Sequence, residues 1–272
     1  MSLSLASIHV YPIKSLGGFQ PDTARLTDRG LEHDRRWMLV DENGRFISQR
    51  EVPMMACLHC SPLSNGFRMT DVRDGTTIDL PWAISTGEDR HVSVWEDELS
   101  AITASQVITL WFSEKLGTTA TLVFMLDATE RKVDPRYADG ITSFSDGFPY
   151  LVISQASLDD LNERIVARER ITMDRFRPNL VIAGGNAYQE DAWRTITIGQ
   201  ALFDLVKPCA RCAIPTTDQL TGERGKEPLR TLANYRKRTA DGGASVKVEF
   251  GMNAVADAGV PVRVGDPVQV IV

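Results

Sequence analysis

The feature that most constrains this chain is a strand-forming run that ends in a pair of thiols. Residues 201–206, Ala-Leu-Phe-Asp-Leu-Val, are apolar and strand-forming, and they stop short of Pro208, which cannot donate to a central ladder. Cys209-Ala-Arg-Cys212 follows, and then a polar stretch that turns at Thr221-Gly222. This layout predicts that Cys212 stands where a strand gives way to a loop, held by a sheet and open to a ligand. A cysteine acts as a metal ligand or nucleophile only as the thiolate, a form that nearby positive charge favours. Lys207 and Arg211 supply such charge by proximity in the chain. Three other readings compete with an active thiol. Free cysteine is commonly a small buried hydrophobe. A thioredoxin-like pair opens a helix, for which the Pro, Thr and Asp residues here are unsuited. Cys57-Leu-His-Cys60 is a second C-x-x-C, and two such pairs make a four-cysteine zinc site, but about 150 residues separate them.

Composition narrows the classes. A chain of 272 residues with 43% hydrophobic and 24% charged content fits a soluble globular protein of about two domains. The net charge of −6 argues against a nucleic-acid partner, so a bound anion needs a local basic pocket. Four cysteines do not suggest a disulfide framework. The first residues lack the charged region and apolar core of a signal peptide, and no apolar run reaches membrane-spanning length. A reduced, cytoplasmic protein without a membrane partner is expected.

Along the chain, residues 5–13 read as a first strand ending in Lys14-Ser15-Leu16-Gly17-Gly18. That loop can bring an ammonium, a hydroxyl and bare backbone N–H groups to one anion, although on spacing alone Gly17-Gly18 is a turn. Residues 35–40 read as a strand with Arg35, Trp37 and Leu39 on one face, so only one of Arg35 and Arg36 can face a given pocket. Glu42-Asn43-Gly44 is a hairpin turn. Residues 50–103 read as short strands without a catalytic constellation. Cys57 and Cys60 are expected as core thiols, and the four histidines show no metal spacing. A helix is predicted from residue 104, with Val107, Leu110 and Trp111 as its apolar face and Gly117 as its stop. A buried strand over 121–126 follows, which puts the domain boundary at 1–120 and 121–272. Asp146-Gly147 turns, and Ser154 caps a helix with Leu158, Leu161 and Ile165 on one face. Arg177 offers a planar fork suited to phosphate, and Asn179 offers donor and acceptor, though such arginines are ordinarily surface ion pairs. Pro228 opens a short helix, and Arg236-Lys-Arg238 reads as its solvated end or, less simply, a docking patch for an acidic electron donor.

Taken together, Cys209-Ala-Arg-Cys212, Thr217-Asp218 and Thr221-Gly222 resemble the signature of the MOSC domain family, which includes YcbX-type proteins and the mitochondrial amidoxime-reducing component. Tyr11-Pro-Ile-Lys-Ser15, Asp34-Arg-Arg-Trp37, Ser154-Gln-Ala-Ser-Leu158, Phe176-Arg-Pro-Asn179 and Val264-Gly-Asp-Pro-Val268 fit the same family in order across nearly the whole chain. The resemblance implies a mixed α/β, mainly β fold: an N-terminal β-rich domain plus a MOSC β-barrel with peripheral helices, and a cofactor cleft between them. It implies a molybdenum cofactor (molybdopterin) with Cys212 as the metal's protein ligand. Carried over by motif, Lys14, Ser15, Arg35, Arg177, Asn179, Arg211 and Asn253 are its contacts. Phe148 stands where relatives carry a smaller polar residue, which removes a side-chain hydrogen bond from the cofactor-lining segment 143–150.

The implied activity is reduction of N-hydroxylated small molecules (hydroxylamines, amidoximes or N-hydroxylated bases). The ferredoxin domain of many bacterial relatives, with its C-x4-C-x2-C pattern, is not found after Cys212. A separate electron donor is therefore expected: a flavoprotein reductase acting directly or through an iron–sulfur or haem carrier. The same resemblance also admits a cofactor-binding or sulfur-carrier module without reductase activity, as at the end of molybdenum cofactor sulfurases, and brings pyridoxal phosphate binding as a family association.

Overall fold

The computed structural model describes residues 2–166, 170–239 and 246–271. Its largest unit is a sheet that almost closes on itself. In spatial order its strands are Ser4–Ile8, Leu180–Ala183, Tyr150–Ser154, Val246–Ala256, Ala201–Ala210, Thr195–Ile198 and Val268–Val270. A bridge from Ser4 to Pro267, with Leu5 N donating to Asp266 O, brings the last strand back to the first. Closure removes the exposed edges that an open sheet must otherwise protect. Alternation decides which side faces in: along Ala201–Ala210, Ala201, Phe203 and Leu205 are buried, while Leu202 and Asp204 point out. The interior is filled by Leu5, Ile8, Tyr150, Val152, Phe203, Met252 and their neighbours.

The other half carries smaller sheets. Asp89–Val94, Asp97–Thr103, Thr121–Phe124 and Trp37–Val40 form one, and Leu58–Leu63, Gly66–Asp71 and Thr77–Pro81 a second. Trp37, Leu39, Phe67, Phe112 and Leu122 lie in their shared core. The two halves exchange strands at both ends of the chain. The first strand belongs to the barrel, and Pro261–Arg263 pairs with Thr23–Thr27. Thr121–Phe124 pairs with Trp37–Val40 and with Asp97–Thr103, so this strand completes the sheet of the N-terminal half.

Several local expectations are corrected. Pro208 does not end its strand, which runs on to Ala210, because register shifts either side of it free the ladder position that proline cannot fill. The helix Gln106–Leu116 does stop at Gly117, in the left-handed region, but it buries Phe112 and Leu116 and exposes Val107 and Leu110. Apolar residues lie on two sides of it, so periodicity alone could not choose the inward face. Arg236 is buried and paired with Asp191, and Lys237–Thr239 is a strand against Val246–Ala256. That run is therefore part of the sheet, not a solvated helix end. The Ser154 cap forms as expected, its hydroxyl accepting from Ser157 N, and Leu158, Leu161 and Ile165 pack inward.

Candidate functional site

Between the halves lies a cleft lined by Lys14, Ser15, Arg35, Arg50, residues 145–148, Leu151, Phe176, Arg177, Asn179, residues 209–212, Ile214 and Asn253. All nine residues singled out in the sequence line it. Three of them, Ser15, Arg35 and Arg177, have φ of 67°, 49° and 57°, a region costly for any residue but glycine. Each is held there by its neighbours. Ser15 O accepts from the Gln49 amide at 2.6 Å. Arg35 N donates to Tyr11 O at 2.7 Å, and Arg177 N to Asp174 O at 3.0 Å.

The cations differ in how well they are compensated. The Lys14 ammonium donates to Asp146 Oδ1 at 2.6 Å and to Phe144 O at 2.8 Å. Burial pushes its pKa down to about 8, with Asp146 opposing. Although burial works the other way, Lys14 and Arg50 hold Asp146 ionised, well below the usual carboxylate range. Arg35 is paired with Asp34 at 2.5 Å and also donates to Asn179 Oδ1 at 3.0 Å and to Arg177 O at 3.1 Å. By contrast, Arg177 and Arg211 have no carboxylate partner among the described residues. Arg177 Nη1 donates to Leu16 O at 2.5 Å, and its guanidinium covers the Tyr11 ring at 4.2 Å. Burial, then repulsion from Arg35, brings its pKa down to about 10. Arg211 donates to Phe176 O at 2.7 Å and to Cys209 Sγ at 3.0 Å. Arg177 Nη2, Arg211 Nε and Arg50 Nη1 are buried donors that meet no acceptor. Buried charge of this kind is costly unless something neutralises it. The cleft suits an anionic, oxygen-rich group.

Residues 139–269 match the MOSC domain and residues 2–119 the MOSC N-terminal beta barrel domain. The chain belongs to the MOSC family. It is 31% identical over 282 residues to mitochondrial amidoxime reducing component 2 of Rattus norvegicus, covering 97% of this chain and 82% of that protein. It is 30% identical to the human mitochondrial amidoxime-reducing component 1, over 98% of this chain and 83% of that one. Molybdenum cofactor sulfurase of Oryza sativa is 31% identical over 92% of this chain, but the chain spans only 32% of that protein's length.

In this MOSC chain the thiol pair is divided by role. Cys212 is half-buried in the cleft, and Arg50 stands beside it. Arg211, expected beside Cys212, instead donates to Cys209, whose thiol burial raises against that charge. Lys207 lies over the Tyr137 ring at 4.2 Å and faces Phe148 at 6.0 Å. Asn179 spends its carbonyl on Arg35 and Leu151 N and donates to His9 O, so its clearest work is bracing Arg35. Asn253 sits within the strand Val246–Ala256 and donates to Lys207 O at 3.2 Å. Arg35 reaches the cleft as anticipated, but not from a strand face: the strand begins at Trp37, and Arg35 lies in the left-handed turn before it. Arg36 turns away to Asp127 and Met125 O.

Cys57 and Cys60 are buried core thiols, and Cys57 Sγ lies 3.3 Å from Leu220 O. Among the described residues no three His, Cys, Asp or Glu side chains gather as a metal site, so the two C-x-x-C pairs do not combine. No described helix is long and apolar enough to cross a membrane.

Sequence reasoning missed Gln49, Arg50 and Arg131. Arg131 is buried, pairs with Asp97 at 2.7 Å and donates to the carbonyls of Ser143, Ser145 and Asp146, which shapes the segment that carries Asp146. Arg131 lay in a polar stretch, and Gln49-Arg50 sits at the end of a hairpin. Neither carried a spacing that distinguishes a buried arginine from a solvated one.

Proposed function

We propose that this protein is a molybdenum cofactor-dependent reductase of N-hydroxylated compounds, supplied with electrons by a separate donor protein. The observation that carries this reading is the pairing, in one cleft, of the half-buried Cys212 with two guanidiniums that lack carboxylates among the described residues, the buried Arg177 and the half-buried Arg211, each with a buried donor that meets no acceptor. Orphaned donors on those two side chains fit the phosphate and pterin oxygens of a molybdopterin, and a thiolate is the soft ligand that molybdenum favours. Cys212 would hold the metal. Arg177, Arg211, Lys14 and Ser15 would clamp the phosphate and pterin, with Arg35 bracing the Arg177 backbone and Asn179 bracing Arg35. When bound, the cofactor would supply the two-electron redox chemistry.

In the overall reaction R–NH–OH, two electrons and two protons give R–NH2 and water. The electrons would come from a flavoprotein reductase, directly or through a small iron–sulfur or haem carrier. The protein's own part is to fix the thiolate, offset the phosphate charge and bury the reacting end. Similarity to the amidoxime reducing components over most of their length supports this reading. Similarity to the sulfurases favours a second one, a cofactor-binding module without reductase activity, although the chain spans about a third of those proteins.

The test is the molybdenum and pterin content of wild type and Cys212→Ser, purified from cells that make the cofactor, followed by benzamidoxime reduction with an artificial donor. Near-stoichiometric molybdenum in wild type, its loss in the variant and turnover are expected. Zinc in place of molybdenum, or molybdenum retained by the variant, would overturn Cys212 as the ligand. A loaded protein without turnover would favour the binding module.

A further inference from the structure

Arg50 is the cleft cation that no sequence signal marked, and it is held in three ways. Its Nη2 donates to Asp146 Oδ2 at 3.1 Å. Its guanidinium lies over the Trp95 ring at 4.7 Å. The carbonyl of the preceding residue, Gln49, accepts from Arg224 Nη2 at 2.5 Å, and Arg224 belongs to the segment that follows Cys212. So placed, the side chain stands beside the Cys212 thiol, yet Nη1 is buried and meets no acceptor. Trp95 is unusual in its own right. It is 48% exposed, sits between the paired strands Asp89–Val94 and Asp97–Thr103, and has φ of 57°. The two-residue turn between Val94 and Asp97 sets that backbone conformation, and the exposed ring is placed by its contacts: an edge against Phe46 at 5.0 Å and a face under Arg50.

We propose that Arg50 is a substrate-binding residue, whose free Nη1 donates a hydrogen bond to the nitrogen-bound oxygen of an N-hydroxylated substrate beside Cys212. This rests on the reductase reading. Asp146 and Trp95 are then positioning residues, one fixing the guanidinium edge and the other its plane. Guanidinium has donors only and stays protonated, so it binds oxygen without serving as the proton source. Its charge also gives direction. An amidoxime is neutral at neutral pH and offers an oxygen, whereas its amidine product is a cation and offers none. Arg50 therefore favours the N–OH substrate and repels the product.

Calorimetry of benzamidoxime and benzamidine binding to oxidised, cofactor-loaded wild type, Arg50→Ala and Arg50→Lys tests this, with molybdenum and pterin measured on the same samples. Loading is expected to stay at the wild-type level. Loss of a charge-assisted hydrogen bond weakens benzamidoxime binding on the order of 10- to 100-fold in Arg50→Ala and less in Arg50→Lys. Benzamidine binding stays the same or tightens. Trp95→Ala weakens benzamidoxime alone, by a smaller factor. Unchanged benzamidoxime affinity, equal loss for both ligands, no benzamidoxime binding by wild type, or loss of molybdenum or pterin from Arg50→Ala overturns the assignment; the last makes Arg50 a cofactor clamp. Binding with the predicted preference but without turnover leaves Arg50 in place and removes the reductase reading instead.

Discussion

Arg177→Met separates what the cleft does for the fold from what it does for a ligand. The wild-type guanidinium is 8% exposed, lacks a carboxylate partner and has its pKa brought down by burial to about 10, well below the ordinary guanidinium range. That difference corresponds to about 3 kcal/mol spent in keeping the charge inside the folded protein. Methionine removes this cost and fills similar space with an adaptable chain. It also deprives Leu16 O of its donor, a loss of about 1–3 kcal/mol, and removes the contact with the Tyr11 ring, roughly 0.5–2 kcal/mol. The opposing terms nearly cancel. The cofactor-free variant is therefore expected to unfold in urea within about 1.5 kcal/mol of wild type. Cofactor retention, in contrast, should fall on the order of 10- to 100-fold with the lost charge-assisted bonds. Urea titration of protein from cells unable to make the cofactor gives the first quantity, and pterin and molybdenum content after dilution gives the second. A cofactor-free loss well above about 3 kcal/mol would show that Arg177 is chiefly structural, and wild-type retention would refute its role in the clamp.

Two further outcomes follow from the surroundings of the cleft. His9 is 5% exposed and its pKa is lowered to about 4 by burial, with Asp174 opposing. The unfolded chain therefore binds the extra proton first, and stability present above pH 6.5 is lost as pH falls towards 4. About 2 kcal/mol should disappear between about pH 7 and pH 5, and His9→Gln should flatten that slope in parallel urea titrations; an unchanged slope would place the acid sensitivity elsewhere. Gly18→Ala would put a Cβ 2.3 Å from Val10 O and 2.6 Å from the Tyr11 ring, both held by the barrel. Because backbone must move, a loss of about 1–3 kcal/mol is expected, measured as a lower thermal midpoint; a stable variant would mean that the loop after Ser15 yields freely.

The short motifs were legible because each has a local cause. Ser154 caps its helix through a hydroxyl that accepts from the backbone N–H three residues on, and Gly117 ends another through a left-handed turn. Both depend on neighbours in the chain, so both could be read without a fold. The side that a helix buries is different. Val107 and Leu110 are as apolar as Phe112 and Leu116, and only the sheet beside them decided which pair went inside.

The sequence by itself determined the strand-rich pattern, the helix ends, the position of Cys212 after its strand and, through its family motifs, the nine residues that line one cleft. Tertiary structure alone decided how they are charged and held. Asp34 neutralises Arg35 and Asp146 neutralises Lys14, while Arg177 and Arg211 are left without carboxylates among the described residues. It also brought Arg50 from a hairpin end to the Cys212 thiol and sent Arg211 to Cys209. The reason is physical. Side-chain chemistry and local backbone preference travel with the residue, but burial, compensation of charge and the satisfaction of a donor depend on partners that, here, lie up to 175 positions away in the chain.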